Sequence, residues 1–307
     1  MSAPHHLDDV WLAAHPVPDI DPDSDKNARG RVLVVGGAEF VPGALRLTGE
    51  AALRVGAGKL QLATVVPVAA ALGVLVPEAA MTALPVDGDG EIDASASSHL
   101  KELIARCDTL VLGPGMSETQ GIARLVEILL ESPRDDLSIV LDAGAICSVR
   151  DMASVLHRHK GRIVMTPHHG ECASLTGLEV EEIEANPAAV CNDVARHFQA
   201  TIILKGAQSF IASPDGTLLE FRNECPGLAT SGSGDVLAGA LGGLLARGAS
   251  ATVAAAWGAW LHGEAGRAAS RQCGGIGFLA RDLLALLPSL LNAKLAIGRN
   301  NARSAVL

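Results

Sequence analysis

Short apolar runs alternate with longer Ala- and Leu-rich segments along most of the chain. The apolar runs are rich in Val, Ile and Leu, and each ends in a small or polar turn; they predict strands over 31–36, 60–65, 109–112, 138–141, 163–166, 201–204 and 209–213. The longer segments predict helices over 44–55, 67–75, 121–131, 186–199, 236–246, 251–270 and 279–287. Continuous apolar strands that alternate with helices are typical of a mainly parallel sheet covered on both faces. The pattern therefore predicts a three-layer α/β/α fold.

The remaining segments lie at the two ends. Residues 1–28 are rich in Pro, Asp and His and predict a flexible N-terminal arm, and residues 291–307 predict a polar tail. Between them we find neither an internal repeat nor a Pro/Ser-rich linker, so residues 29–290 are expected to form one catalytic domain.

Composition and charge exclude several classes of function for this chain. The 307 residues are 49% hydrophobic, which is ample for a packed core, and carry a net charge of −10. That charge argues against a nucleic-acid or anionic-membrane surface, but a local group of backbone N–H donors still suits one nucleotide. No secretory signal or membrane span is predicted. The six cysteines form no Cys-x-x-Cys pair, so we expect neither zinc nor a redox motif, and a reducing cytoplasmic location.

Polar and glycine-rich turns follow the predicted strands. Ligands bind beyond the carboxyl ends of the strands in sheets of this kind, so these turns are expected to share one edge. The turns are Gly36-Gly37, Gly113-Pro114-Gly115, Asp142, His168, Lys205 and the loop before Asp235.

The loop before Asp235 is the best candidate for a phosphate site. Gly232 and Gly234 let an anion approach the backbone, and the N–H groups that open a helix favour phosphate. Asp235 is then either a helix cap or a base held against the substrate. Leu237 stands where a dinucleotide fingerprint needs its third glycine, and the chain has no P-loop motif.

Seven motifs in this order resemble the NAD(P)H-hydrate dehydratases, ribokinase-like relatives of the carbohydrate kinases. The resemblance covers about residues 30–288. The motifs are Gly36-Gly37, Gly113-Pro114-Gly115, Asp142-Ala143, Thr166-Pro167-His168-x-Gly170-Glu171, Lys205-Gly206-Ala207, Gly232-Ser233-Gly234-Asp235 and Leu261-His262-Gly263-x-Ala265-Gly266.

The resemblance implies a reaction. The 6-hydroxyl of the S epimer of hydrated NADH or NADPH is eliminated, coupled to cleavage of ADP or ATP with magnesium. Hydroxide leaves poorly and phosphate leaves well, so phosphoryl transfer to the hydroxyl makes the elimination easy. Asp235 is expected to take the hydroxyl proton as a general base, and the helix N-terminus is expected to keep it ionised.

The resemblance also assigns binding residues. The residues expected to line the hydrated cofactor are Ala44, Gly115, His168 and Asp235. Those expected to bind the nucleotide are Lys205, Gly206, Ala207, Gln208, Ser209 and Gly234. A phosphate nest of Gly232, Ser233 and Gly234 is expected to hold the transferring group. The metal ligands are left open.

Simpler structural roles compete with three of these assignments. Lys205 would otherwise be a solvated lysine at a strand end, and His168 a loop histidine that caps a helix. Glu171 either binds magnesium through water or caps the helix that runs through Leu175, and we favour the cap. His262 is expected to be a core histidine.

The chain departs from the family pattern at two places. Gly144 replaces the second acid of the usual Asp-Ala-Asp, which questions any metal or ribose contact there, and Phe40-Val41-Pro42 replaces a loop that often carries Tyr. The fused epimerase domain of some relatives is also missing, so action on one epimer is expected unless a separate epimerase protein supplies the other.

Two other functions stay open at this stage. One is an ATP-dependent sugar or vitamin kinase on the same fold, because both reactions begin by deprotonating a hydroxyl. The other is a catalytically degenerate nucleotide-binding protein, which the change at Gly144 motivates.

The sequence does not choose ADP over ATP, although the lack of a targeting peptide favours the ADP-dependent type. Trp257 and Trp260 lie on a helix expected to pack internally or at a subunit contact, so a homo-oligomer, as a guess a tetramer, is expected.

Overall fold

The computed structural model describes residues 3–21 and 23–304, and within them ten strands form one sheet. The order across the sheet is β1-β10-β9-β8-β7-β6-β5-β2-β3-β4; β9 runs antiparallel to both neighbours and the other pairs are parallel. The strands are β1 (His5–His6), β2 (Arg31–Val35), β3 (Lys59–Val65), β4 (Ala79–Leu84), β5 (Thr109–Leu112), β6 (Ser138–Leu141), β7 (Ile163–Met165), β8 (Thr201–Leu204), β9 (Gln208–Ala212) and β10 (Leu218–Arg222). All seven predicted strands are confirmed.

Helices cover both faces of the sheet, which confirms the three-layer α/β/α fold. In one layer α11 packs against both α2 and α12, and in the other α7 packs against both α5 and α10. The helices are α1 (Asp9–Ala14), α2 (Gly43–Arg54), α3 (Val66–Leu75), α4 (Ser97–Ile104), α5 (Gln120–Leu130), α6 (Gly144–Ser148), α7 (Ala153–His157), α8 (His169–Thr176), α9 (Val180–Ala185), α10 (Pro187–Phe198), α11 (Ser233–Ala246), α12 (Ala251–Cys273), α13 (Ala280–Leu284) and α14 (Leu287–Ser304).

Helix α11 is buried on nearly all sides, and glycines set its distance from α2. A Cβ at Gly239 would lie 2.0 Å from the carbonyl oxygen of Thr48, and one at Gly243 would lie 2.5 Å from that of Ala52. The two helix backbones are therefore in direct contact. This packing fixes the N-terminus of α11, which carries Asp235, relative to the first turns of α2.

The N-terminal segment differs from the predicted flexible arm. Strand β1 pairs with β10, Leu12 and Val17 are buried, and the Trp257 Nε1–H donates to the His15 carbonyl at 2.8 Å. The segment lacks a hydrophobic period of its own, and it is ordered by the sheet edge and by α12. Trp257 therefore packs inside its own chain, one of the two roles expected for it.

The C-terminal end differs as well. The predicted helix over 279–287 is two helices, α13 and the start of α14, and α14 continues through most of the predicted tail. Residues 1, 2 and 22 of the predicted arm and residues 305–307 of the predicted tail lie outside the described residues. Among the described helices, each is too short or too polar to cross a bilayer.

Candidate functional site

The turns that follow β2 and β5 are joined at one edge of the sheet. The Gly37 N–H donates to the Pro114 carbonyl at 2.8 Å, and the Ala38 N–H donates to the Gly115 carbonyl at 3.0 Å. A Cβ at Gly36 would lie only 2.2 Å from the Pro114 oxygen, so the contact requires glycine. The two glycine turns picked out in the sequence thus form one rim of the site.

Two expected substrate residues meet at this rim. Ala44 lies buried in the first turn of α2, and a Cβ at Gly115 would lie 2.9 Å from its methyl group. Gly115 also has a φ of +71°, which L side chains rarely adopt. Close packing and backbone conformation therefore both require a glycine beside Ala44.

The phosphate nest forms the opposite rim. Helix α11 begins at Ser233, three residues earlier than predicted, with Gly232 as its N-cap in the left-handed region. The Ser233 hydroxyl donates to the Leu228 carbonyl at 2.7 Å and holds the turn. Within the described residues, the N–H groups of Gly234 and Asp235 have no protein acceptor. Two unsatisfied donors at the start of a helix form an anion site.

Asp235 lies in the first turn of α11, beside the nest. Its carboxyl group is partly buried, and no described residue donates a hydrogen bond to it. Burial raises the pKa of Asp235 to about 7, the nearby Asp142 carboxylate adds to the rise, and Lys205 opposes it. The expectation that the helix N-terminus keeps Asp235 ionised is therefore wrong, because desolvation outweighs it. The carboxyl group does not cap the helix, and its pKa suits a base that works near neutral pH.

Lys205 is held by carboxylates at the end of β8. Its Nζ lies 3.3 Å from Asp142 Oδ1 and 3.5 Å from Glu171 Oε2. A Cβ at Gly234 would lie 3.5 Å from the same Nζ, so the ammonium group faces the nest. Burial lowers the pKa of Lys205, but the two carboxylates outweigh it and the net shift is upward. Lys205 is thus a fixed cation beside Asp235, and not a solvated lysine.

The sequence predicts Asp142 as a turn residue and as part of the Asp142-Ala143 motif, but assigns its side chain no role in the site. Asp142 is 3% exposed and accepts a hydrogen bond from Thr166 Oγ1 at 2.5 Å. The next residue, Ala143, has a φ of +48°, a strained conformation for a residue with a side chain. The sequence does carry a signal for the contact between Asp142 and Lys205, because both residues follow strands of the same central sheet.

His168 and Glu171 cap α8. His168 Nδ1 accepts from the Glu171 N–H at 3.2 Å, while Glu171 Oε2 accepts from the His168 N–H at 2.8 Å. This is a reciprocal capping box, the role favoured for Glu171 in the sequence. The His168 side chain is largely exposed and stays available to a ligand.

The predicted nucleotide loop lies next to the His168 turn. The Lys205 N–H donates to the Pro167 carbonyl at 2.8 Å, which joins the turns after β7 and β8. Gly206 and Ala207 turn the chain between β8 and β9, and Gln208 and Ser209 open β9. The loop, the nest and His168 therefore border the same region, with Lys205 between them.

The structure leaves no room for a side chain at Gly144. A Cβ there would lie 2.6 Å from the Ser117 carbonyl oxygen and 2.7 Å from that of Met116. The usual second acid of the motif therefore cannot be placed here without a shift of the 116–117 backbone. The described residues also contain no group of three or more His, Cys, Asp or Glu side chains that could hold a metal ion.

We expect Gly144→Ala to lower the free energy of unfolding by about 1–3 kcal/mol, the usual cost of overpacking a tight site. Urea denaturation measures the change. Gly88→Ala is the matched control, since a Cβ at Gly88 would meet no atom within 4 Å. Equal stability of the two variants would show that the 116–117 loop yields easily.

Comparisons with known proteins identify relatives of this chain. Residues 32–289 match the family model described as NAD(P)H-hydrate dehydratase. The chain is 44% identical over 282 residues to the ADP-dependent (S)-NAD(P)H-hydrate dehydratase of Xanthomonas campestris, which covers 92% of this chain and 94% of the relative.

Solved structures give the same picture. The ADP/ATP-dependent NAD(P)H-hydrate dehydratase of Bacillus subtilis, co-crystallised with ATP/Mg²⁺, aligns with a TM-score of 0.77 at 26% identity, over 94% of this chain and 98% of that one. A ribokinase-like superfamily protein of Enterococcus faecalis aligns with a TM-score of 0.78 at 23% identity, over 94% and 96%. The fold is the ribokinase-like one.

Proposed function

We infer, because this chain belongs to the NAD(P)H-hydrate dehydratase family, that it is a lyase which dehydrates the S epimer of hydrated NADH and NADPH at the expense of ADP. The observation that supports the chemistry is the position of Asp235. Its carboxyl group lies beside unsatisfied N–H donors and close enough to the Lys205 ammonium group to feel its charge, with a pKa raised to about 7. A base, a phosphoryl site and a fixed cation therefore lie together at one edge of the sheet.

The reaction has two steps. Asp235 accepts the proton of the 6-hydroxyl as the hydroxyl oxygen attacks the terminal phosphorus of ADP, and the bond to AMP breaks. The ring nitrogen then expels phosphate from the ring carbon, and loss of a proton from the neighbouring carbon restores the double bond. The products are NADH or NADPH, AMP, phosphate and one proton, which balances the equation.

The backbone supplies the charge stabilisation. In our proposal the nest of Gly232, Ser233 and Gly234 holds the migrating phosphoryl group, and the free N–H groups of Gly234 and Asp235 support this role. Donors fixed by a buried helix need no reorganisation as charge develops, which is where electrostatic catalysis gains most. Lys205 adds a positive charge on the same side.

The two substrates are assigned to two sets of residues. We propose that Ala44, Gly115, His168 and Asp235 bind the hydrated cofactor. We assign the nucleotide to Lys205, Gly206, Ala207, Gln208, Ser209 and Gly234. The contact between Gly115 and Ala44, and that between Lys205 and the nest, support this division.

A magnesium ion would accompany the nucleotide. Mg²⁺ keeps several waters and is usually held by substrate phosphates with one or two carboxylates, so the lack of a three-ligand cluster in the described residues fits such an ion. Besides Asp235, the carboxylates of Asp142 and Glu171 lie beside the proposed phosphate path through their contacts with Lys205, and the ion would neutralise charge on the phosphoryl group. Both also hold Lys205.

The partners and compartment are proposals of the same kind. We propose that a separate epimerase protein converts the other epimer, and that the enzyme works in the cytoplasm, since all six cysteines are free thiols. A homo-oligomer, with a tetramer as the working guess, stays a prediction. Its contact surface is not Trp257, because the chain's own N-terminal segment covers that side chain.

One assay tests the function. Purified protein is mixed with the S epimer of hydrated NADH, magnesium and either ADP or ATP, and reduced-nicotinamide absorbance and free phosphate are followed. The lyase restores absorbance and releases phosphate in equal amounts, with ADP the better co-substrate. A stable phosphorylated product would instead identify a kinase, and nucleotide binding without turnover a degenerate protein.

The pKa of Asp235 predicts the pH dependence. A base must be deprotonated, so kcat/KM should rise about tenfold per pH unit below pH 7 and level off above it. Steady-state rates between pH 5.5 and 9 measure the profile. A flat profile below pH 7 would mean that Asp235 is already ionised in the free enzyme, and the assigned role of burial would be wrong.

A further inference from the structure

The loop between β2 and α2 carries two large apolar side chains that are exposed to solvent. Phe40 is 80% exposed and Val41 is 48% exposed. Single exposed apolar residues are common on protein surfaces. These two are distinguished by their position, because the loop that carries them runs directly into the substrate rim at Ala44.

The loop is held in place by its neighbours. The Glu39 N–H donates to the Gly90 carbonyl at 2.8 Å, and the Val41 N–H donates to the Ala38 carbonyl at 3.1 Å. A Cβ at Gly90 would lie 3.1 Å from Phe40 Cε2, so one edge of the ring rests on Gly90 while most of the ring stays open. A ring that is already positioned loses little conformational freedom when a ligand covers it.

Helix α2 runs from the neighbourhood of the nest and Asp235 toward Phe40, so it allows the distance between them to be estimated. A Cβ at Gly232 would lie 2.6 Å from Leu47 Cδ1 and 3.8 Å from Asp235 Oδ2. From Leu47 the helix runs back to its first residue, Gly43, over about 6 Å at 1.5 Å per residue, and Phe40 lies beyond that end. Phe40 is therefore on the order of 10 Å from the nest. A ring that reacts at Asp235 does not reach it.

We propose that Phe40 stacks on the adenine base of the hydrated dinucleotide and makes the enzyme selective for a dinucleotide over a mononucleotide. The proposal rests on the proposed function. A dinucleotide carries two planar rings joined by riboses and a diphosphate; when the hydrated ring lies at Asp235, the adenine is the ring that extends along α2. Purines stack on open aromatic faces. The Val41 carbonyl, 2.9 Å from the Cβ position of Gly115, places the loop directly beside the substrate rim.

The test compares Phe40→Ala and Phe40→Tyr on two substrates, hydrated NADH and hydrated reduced nicotinamide mononucleotide, which lacks the adenine. Phe40→Ala should raise KM for hydrated NADH about tenfold, the scale of base–aromatic stacking, with little change in kcat. Its KM values for the mononucleotide and for ADP should stay at the wild-type level. Phe40→Tyr should restore the wild-type KM. Val74→Ala, at a side chain 81% exposed on α3, is the matched control.

Three results would overturn the proposal. They are an unchanged KM for hydrated NADH, an equal rise for the mononucleotide, and a rise for ADP in place of the dinucleotide. If the wild-type protein turned over no hydrated NADH, the proposed function would fail separately. Stacking would then be tested by NADH fluorescence: Phe40→Ala should weaken the binding of NADH about tenfold and leave reduced nicotinamide mononucleotide unaffected. Equal NADH affinities of variant and wild type would reject it.

Discussion

Asp235→Asn should lower kcat by about 10²- to 10⁴-fold, the usual contribution of a positioned general base. The amide keeps the size of the side chain and cannot accept the hydroxyl proton at neutral pH. The nest and Lys205 remain, so the affinity for ADP should stay within about threefold of wild type when measured by titration calorimetry. Steady-state turnover of hydrated NADH with ADP gives kcat.

Folding must be separated from chemistry in this variant. The folded-state pKa of Asp235 is raised from 3.8 to about 7, so ionisation at pH 8 is less favourable in the folded state than in the unfolded one. Asn removes that cost, and the variant should melt at or above the wild-type temperature at pH 8. Asp151→Asn, at an exposed aspartate, is the matched control and should keep wild-type turnover. Full activity of Asp235→Asn would end its assignment as the base.

The sequence predicted the elements that bury continuous apolar runs. Strands such as β2 and β5 are predicted by their runs of Val and Leu, and the parallel topology then brings their ends together. The order of elements therefore predicts that Lys205, Asp142 and the nest lie on one edge, as the sheet order shows for the strands that carry them. The strands at the sheet edges were not predicted, for the opposite reason. Strand β4 is Ala-rich and partly exposed, with neither Val nor Ile, and β1 spans only two histidines, so neither carries a run of β-branched apolar residues.

The electrostatics of the site lay beyond sequence reasoning. Position at a helix N-terminus predicted an ionised Asp235, but the pKa depends on how much solvent the neighbouring elements exclude, which only packing determines. The role of Lys205 changed for the same reason, because a strand-end lysine is solvated unless two carboxylates surround it. The closed space at Gly144 likewise depends on the 116–117 loop, whose path no local pattern records.

Lys205→Met should reduce both stability and activity. Asp142 is almost fully buried, and the loss of its cation leaves an uncompensated charge, which typically costs about 3–5 kcal/mol. Lys205 also holds down the pKa of Asp235, so its removal should move the rise of kcat/KM to higher pH. Urea denaturation and the pH–rate profile measure the two effects.

A second substitution, Asp142→Asn, separates the effect on stability from the effect on activity. In the double variant Asp142→Asn, Lys205→Met the buried charge is gone, so a large part of the lost stability should return. The raising influence of Asp142 on the pKa of Asp235 is also removed, and the pH midpoint should move back toward that of wild type. The cation beside the nest is still missing, so kcat/KM should stay low even on the high-pH plateau. If the single variant were as stable as wild type, with an unshifted profile, the ammonium group would be an ordinary solvated charge and the electrostatic account of Asp235 would have to be abandoned.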